Sequence, residues 1–69
     1  MSEARIRNRI RRLRFDRGEM TQQQLAELAG CTRQTIIALE ADRYSPSLLL
    51  GFRIARALGA GIEEVFQFE

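Results

Sequence analysis

Apolar residues recur along the chain at helical rather than strand spacing, in short runs separated by clear stop signals. Ile6, Ile10 and Leu13 fall at i, i+4, i+7, with Arg5, Arg9 and Arg12 on the opposite side and Gly18 to end the run. Its start has two readings. Asn8 suits an N-cap, which leaves residues 2–7 outside the helix, but Ile6 equally permits an earlier start. A second helix opens on Thr21 and Gln24, a T-x-x-Q capping box, with Met20 and Leu25 at the two positions of a hydrophobic staple. Leu25, Ala26, Leu28 and Ala29 give it apolar surface, and Gly30 is placed to close it in a left-handed conformation.

A third helix follows at once. Thr32 can cap it, Cys31 and Ile36 take the staple positions, and Ile36 and Leu39 point inward at i, i+3. Asp42-Arg43-Tyr44-Ser45-Pro46 reads as a loop. Ser47 caps a fourth helix whose face of Leu48, Gly51, Phe52, Ile54, Ala55 and Leu58 ends at Gly59, and Leu49 and Leu50 widen that face beyond the needs of one small core. A short fifth helix can start at Ile62, with Glu63 and Glu64 in its first turn, where carboxylates suit the helix dipole. The tail Val65-Phe66-Gln67-Phe68-Glu69 partly alternates, so its end can instead be extended.

These elements fit 69 residues as a single all-α domain over 1–69. A domain of this size buries only about 60% of the surface its unfolded chain exposes, so support from a partner subunit is expected. Cys31 is alone, which rules out an internal disulfide and a Cys/His zinc site and suits a small apolar residue at a staple; a redox sensor is the alternative. No apolar run is long enough to span a membrane, and the N-terminus lacks the apolar stretch of a signal peptide. With no His, no paired nucleophile and base, no phosphate-cradling Gly loop and no clustered metal ligands, enzymatic chemistry has no candidates, and no cofactor is expected.

Charge adds an asymmetry. The formal net charge is only +2, yet residues 1–17 hold seven Arg against Glu3 and Asp16, while residues 18–69 carry a net −3. The basic end could face a polyanion, or form a solvated helix face whose Arg stems cover apolar surface.

The functional signal lies where two helices meet across Gly30-Cys31-Thr32. So short a connection forces a steep angle, turns both apolar faces to one core and leaves the outer face of the third helix projecting. That face carries Arg33, Gln34, Thr35, Ile37 and Ala38. Arg can make two hydrogen bonds to guanine, Gln two to adenine, and a small apolar group can touch a thymine methyl. Gln22, beside the free N–H groups that open the second helix, could bind a phosphate.

Residues 8–66 resemble the Cro/phage-repressor (Xre-type) helix-turn-helix family. The resemblance rests on T-Q-Q-Q-L-A-E-L-A-G-C-T-R-Q-T-I-I-A-L-E (21–40), R-Y-S-P-S-L (43–48) and I-A-R-A-L-G (54–59). It implies a lambda-repressor-like bundle of four to five short helices and a cytoplasmic, sequence-specific transcriptional regulator that binds a double-stranded DNA operator. Gln22 would hold phosphate; Arg33, Gln34 and Ala38 would face base edges with Thr32 and Ile37 beside them; Thr35 would touch the DNA backbone; Arg43, Tyr44 and Ser45 would follow a phosphate strand. Arg43 and Tyr44 could instead simply fix the loop. Arg14 and Glu40 match a pair that in the family joins the first and third helices as a structural salt bridge. Family members usually bind as two-fold dimers, which puts the dimer contacts in 60–69, around Ile62, Val65, Phe66 and Phe68, although the two Phe could complete the monomer core. The chain resembles compact stand-alone regulators, some of which pair their termini as strands, here Ala4–Arg7 with Phe66–Glu69.

Three departures stand out: Gly18-Glu19-Met20 is one residue longer than the usual turn, Cys31 stands where Val is commoner, and Ala41-Asp42 replaces Asn-Gly. A competing function is an antitoxin or adaptor that covers a protein partner, a toxin or co-regulator, with its apolar C-terminal surface.

Overall fold

A computed structural model describes residues 5–43 and 45–69. Its elements run β1 (Ile6–Asn8), α1 (Ile10–Asp16), α2 (Gln22–Ala29), α3 (Arg33–Glu40), α4 (Leu48–Leu58), α5 (Ile62–Val65) and β2 (Phe66–Phe68). The helices enclose a core of Ile10, Leu25, Ala26, Ala29, Ile36, Leu39, Ile54, Ala55, Leu58 and Val65, with Met20 and Cys31 packed on its edge as their staple positions require. Burial pushes the Cys31 thiol above its ordinary pKa, as desolvation of the thiolate dictates.

Local chemistry sets the helix starts. The Thr21 hydroxyl accepts from the Gln24 amide and the Gln24 side chain accepts from the Thr21 amide, completing the capping box on α2. Thr32 caps α3 through the Thr35 amide, and Ser47 caps α4 through the Leu50 amide. At α5 the Glu64 carboxylate accepts the Gly61 amide. Asn8 stands one residue further out than its capping role required. Arg9 is the flanking residue of α1, yet the Asn8 side-chain oxygen still accepts the Ile10 amide at 3.2 Å.

The helix ends share one closing device. In α2, α3 and α4 a left-handed residue (Gly30, Asp42, Gly59) lets a later amide reach back to a carbonyl five residues earlier: Cys31 to Ala26, Arg43 to Ala38, and Ala60 to Ala55. At α1 the longer turn is accommodated by two successive left-handed residues, Gly18 and Glu19, and the closing bond from Met20 reaches Arg14, six residues back. With Ala41-Asp42 the turn after α3 closes as those after α2 and α4 do. Asp42 takes φ 58°, the region in which Asp is among the more tolerant non-glycine residues.

The termini pair as antiparallel strands, Ile6 opposite Phe68, Arg7 opposite Gln67 and Asn8 opposite Phe66. Arg5 and Glu69 extend the ladder with two mutual backbone hydrogen bonds, and Arg9 donates to the Val65 carbonyl. The observed register is shifted towards Asn8 from the expected Ala4–Arg7 segment, and Ala4 lies outside the described residues. Ile6 therefore belongs to β1, and the tail combines both of its readings, a helical turn followed by a strand. Leu28, Leu48 and Phe52, placed on apolar faces by their spacing, are exposed, because each sits at the margin of its helix face and no element among the described residues covers it.

Candidate nucleic-acid interface

α3 turns Ile36 and Leu39 into the core and presents its other side to solvent. Arg33 and Gln34 are exposed, and Thr35, Ile37 and Ala38 are half-buried along the same outer surface. Among the described residues neither Arg33 nor Gln34 has a side-chain hydrogen bond or ion pair, so both heads are available to a ligand. Thr32 and Thr35 bond to each other through their hydroxyls at 3.0 Å at the helix start. Arg43 and Ser45 are exposed on the loop after α3, while Tyr44 lies outside the described residues.

Behind this surface Arg14 and Glu40 form a nearly buried pair, their side chains 14% and 10% exposed. Arg14 Nε and Nη2 donate to the two Glu40 oxygens at 2.6 and 3.1 Å, the forked geometry in which Arg–carboxylate bonds are strongest. The remaining terminal nitrogen, Nη1, donates to the Met20 carbonyl at 2.7 Å, so one side chain holds α1, the long turn and α3 together. Gln22 joins the group by donating to Glu40 at 3.1 Å. Its side chain is thus anchored, while the N–H groups opening α2 remain beside it.

An open groove between α1, α2 and α3 is lined by Arg11, Phe15, Gln22, Gln23 and Arg33 among others. Arg11 and Phe15 were not singled out in the sequence. Their four-residue spacing on α1 is the available signal, but only the folded chain, in which Arg14 ties α1 to Glu40 of α3, shows that they border the same groove as Arg33. Arg11 has no ion-pair partner among the described residues, whereas Arg12 is paired with Asp16.

The C-terminal residues divide. Val65 is fully buried and belongs to the monomer core, so it is not a surface contact. Ile62 and Phe66 are half-buried and lie against Gly51, where an added Cβ would meet them at 3.4 and 3.6 Å. Phe68 is 76% exposed, and Leu48, Leu49 and Phe52 on α4 are exposed as well. The described residues hold no group of acidic, Cys or His side chains able to bind a metal, and no helix is long and apolar enough to cross a membrane.

A family model described as helix-turn-helix matches residues 10–65. The chain is 60% identical over 62 residues to a protein of Methanothermobacter thermautotrophicus described as an HTH-type transcriptional regulator, covering 88% of each. An Archaeoglobus fulgidus protein of the same description is 47% identical, over 93% of this chain and 90% of its own length. The immunity repressor protein of Bacillus phage phi105 is 38% identical over 87% of this chain and 41% of the repressor. Among solved structures, a candidate DNA-binding protein of Bacteroides fragilis superposes with a TM-score of 0.79, covering 90% of this chain and 98% of its own; at 24% identity the likeness is one of fold.

Proposed function

The chain belongs to the Cro/phage-repressor-like (Xre-type) helix-turn-helix family of DNA-binding transcriptional regulators, and from that premise we propose that it reads a palindromic operator as a homodimer, with α3 in the major groove. As a member of that family it is a binding protein and not an enzyme.

The observation that carries the proposal is the outward face of α3. Arg33 and Gln34 stand exposed on a helix fixed by the core on one side and by the Arg14–Glu40 pair on the other. A side chain that reads bases must reach a groove edge from a rigid support, and exposure on so fixed a helix supports that role for both. Arg33 is assigned to guanine, Gln34 to adenine, and Ile37 and Ala38 to apolar contact with thymine methyls. Thr32 and Thr35 lie at the start of the helix, where backbone phosphates approach. Gln22 contributes the amide end of α2 to a phosphate, its side chain set by Glu40. Arg43 and Ser45, with Tyr44 between them, follow the neighbouring phosphate strand.

Ile62, Phe66 and Phe68, together with Leu48, Leu49 and Phe52, supply the dimer surface. Exposed apolar side chains on this scale in so small a chain mark an interaction site. Reading two half-sites one helical turn of DNA apart requires a two-fold axis that sets the two α3 helices about 34 Å apart.

Fluorescence-anisotropy titration against a pool of random duplexes, with the bound fraction sequenced, tests this reading. Enrichment of an inverted repeat with half-site centres about 10 base pairs apart is expected. Salt-sensitive binding without enrichment would reduce the interaction to charge alone. Absence of binding at physiological salt would redirect the search to a protein partner for the apolar surface.

A further inference from the structure

Asn8 joins three elements through one amide group. Its Nδ2 donates to the Leu39 carbonyl at 2.7 Å and to Asp42 Oδ1 at 3.2 Å, while its Oδ1 accepts the Ile10 amide. Two acceptors on one side and a donor on the other admit only this orientation of the amide. The neighbouring Arg7 places Nε 3.5 Å from Asp42 Oδ2 and Nη1 3.4 Å from Glu69. The last turn of α3 and the residue that closes it are therefore held by β1, and β1 is held by β2 through the ladder.

Asp42 is the unusual member of this group. Gly30 and Gly59 take the same left-handed position at the ends of α2 and α4, whereas α3 uses a residue with a side chain there. A carboxylate at this position costs the turn some backbone strain. Its two contacts with β1 offer a reason for its presence that the turn itself does not supply. Asp42 lies between α3 and Arg43, which are assigned above to bases and to a phosphate strand.

We propose that Asn8 and Asp42 act as positioning residues for DNA recognition, a clamp that uses the terminal sheet to fix the orientation of α3 and the loop behind it. The inference rests on the proposed role of α3 in reading DNA. A clamp of this kind sharpens discrimination between sequences, because a misaligned recognition helix keeps its phosphate attraction and loses its base contacts.

The test compares Asp42→Gly, Asp42→Asn and Asn8→Asp with the unaltered protein, each titrated with the duplex enriched by the unaltered protein and with a scrambled duplex of equal length. Gly and Asn both tolerate the left-handed turn, but only Asn keeps an oxygen for the Asn8 amide. Asn8→Asp keeps the cap on Ile10 and sets an acceptor against the Leu39 carbonyl and the Asp42 carboxylate. Asp42→Gly and Asn8→Asp should each lower the ratio of enriched to scrambled affinity about tenfold, the size of one degraded base contact, while Asp42→Asn stays within about twofold. A purely structural turn predicts instead that Asp42→Gly matches the unaltered protein, because glycine suits the turn best; that result would overturn the clamp. If the unaltered protein enriches no duplex, the DNA-reading premise fails and the clamp's role fails with it, an outcome visible in that arm alone.

Discussion

Replacing Glu40 with alanine should be far more damaging than an ordinary surface-charge deletion. Three of the Arg14 N–H groups are engaged in the folded chain, two by Glu40 and one by the Met20 carbonyl. Glu40→Ala removes two of those partners and leaves a guanidinium that is only 14% exposed with one acceptor. Stranding one member of a buried ion pair costs about 3–5 kcal/mol. Because some water reaches this pair, the lower end, about 3 kcal/mol, is the expectation. For a domain of this size each kcal/mol lowers the melting temperature by about 4–8 °C, so a fall of about 12–24 °C is predicted. Removing both partners as Arg14→Met with Glu40→Leu should recover much of the loss, since no charge is then left buried. Circular dichroism melts and urea titrations at one fixed protein concentration measure all three chains, concentration being held because association shifts apparent stability. A Glu40→Ala variant within about 1 kcal/mol of the unaltered protein would refute the reasoning, since that is the range of solvated surface pairs.

Three further outcomes follow from the same geometry. Gly18 and Gly59 both have positive φ, a Cβ at Gly18 meets nothing within 4 Å, and one at Gly59 meets only the movable guanidinium of the exposed Arg17; Gly18→Ala and Gly59→Ala should therefore lower the melting temperature to a similar extent through backbone strain, and adding Arg17→Ala to Gly59→Ala should change little. Thr21→Ala removes the acceptor for the Gln24 amide and should cost about 1 kcal/mol in urea titration, while Gln23→Ala on the exposed side of the same turn should cost less. Leu48→Ser with Phe52→Ser should convert a dimer to a monomer in sedimentation equilibrium without loss of helical signal, because both side chains are exposed in the single chain; an unchanged mass would remove α4 from the proposed interface.

Much of this architecture was legible because it is written in local chemistry. Thr21 with Gln24, Thr32, Ser47 and the glycines at 30 and 59 mark helix ends through hydrogen bonds that span only a few residues. What was not legible depends on residues far apart in the chain. Ile6 satisfies a helical period as well as a strand, and only its pairing with Phe68 decides between them. The shift of the terminal strands towards Asn8 depends in turn on what the Asn8 amide finds at the end of α3. Asp42 stands where Gly is usual, but the sequence does not show that it keeps the glycine's conformation, since the contacts that favour it come from β1. Leu28, Leu48 and Phe52 carry helical spacing without burial, because periodicity reports which face is apolar and not whether this chain covers it. Val65, which the family resemblance places among the dimer contacts, is instead the point where α5 plugs the core. The outward set on α3 followed directly from the inward positions of Ile36 and Leu39, which fix the helix's orientation.

The central claim, that α3 reads bases, is tested most directly by titrating the Arg33→Ala, Gln34→Ala double variant against the enriched duplex and its scrambled counterpart. Each well-formed bidentate base contact is worth about 1–3 kcal/mol, so the account predicts a loss of at least about tenfold on the enriched duplex, a much smaller change on the scrambled one, and an unaltered melting temperature. Equal affinity losses on both duplexes would assign the two side chains to phosphate attraction, and an unchanged affinity for the enriched duplex would contradict the claim outright.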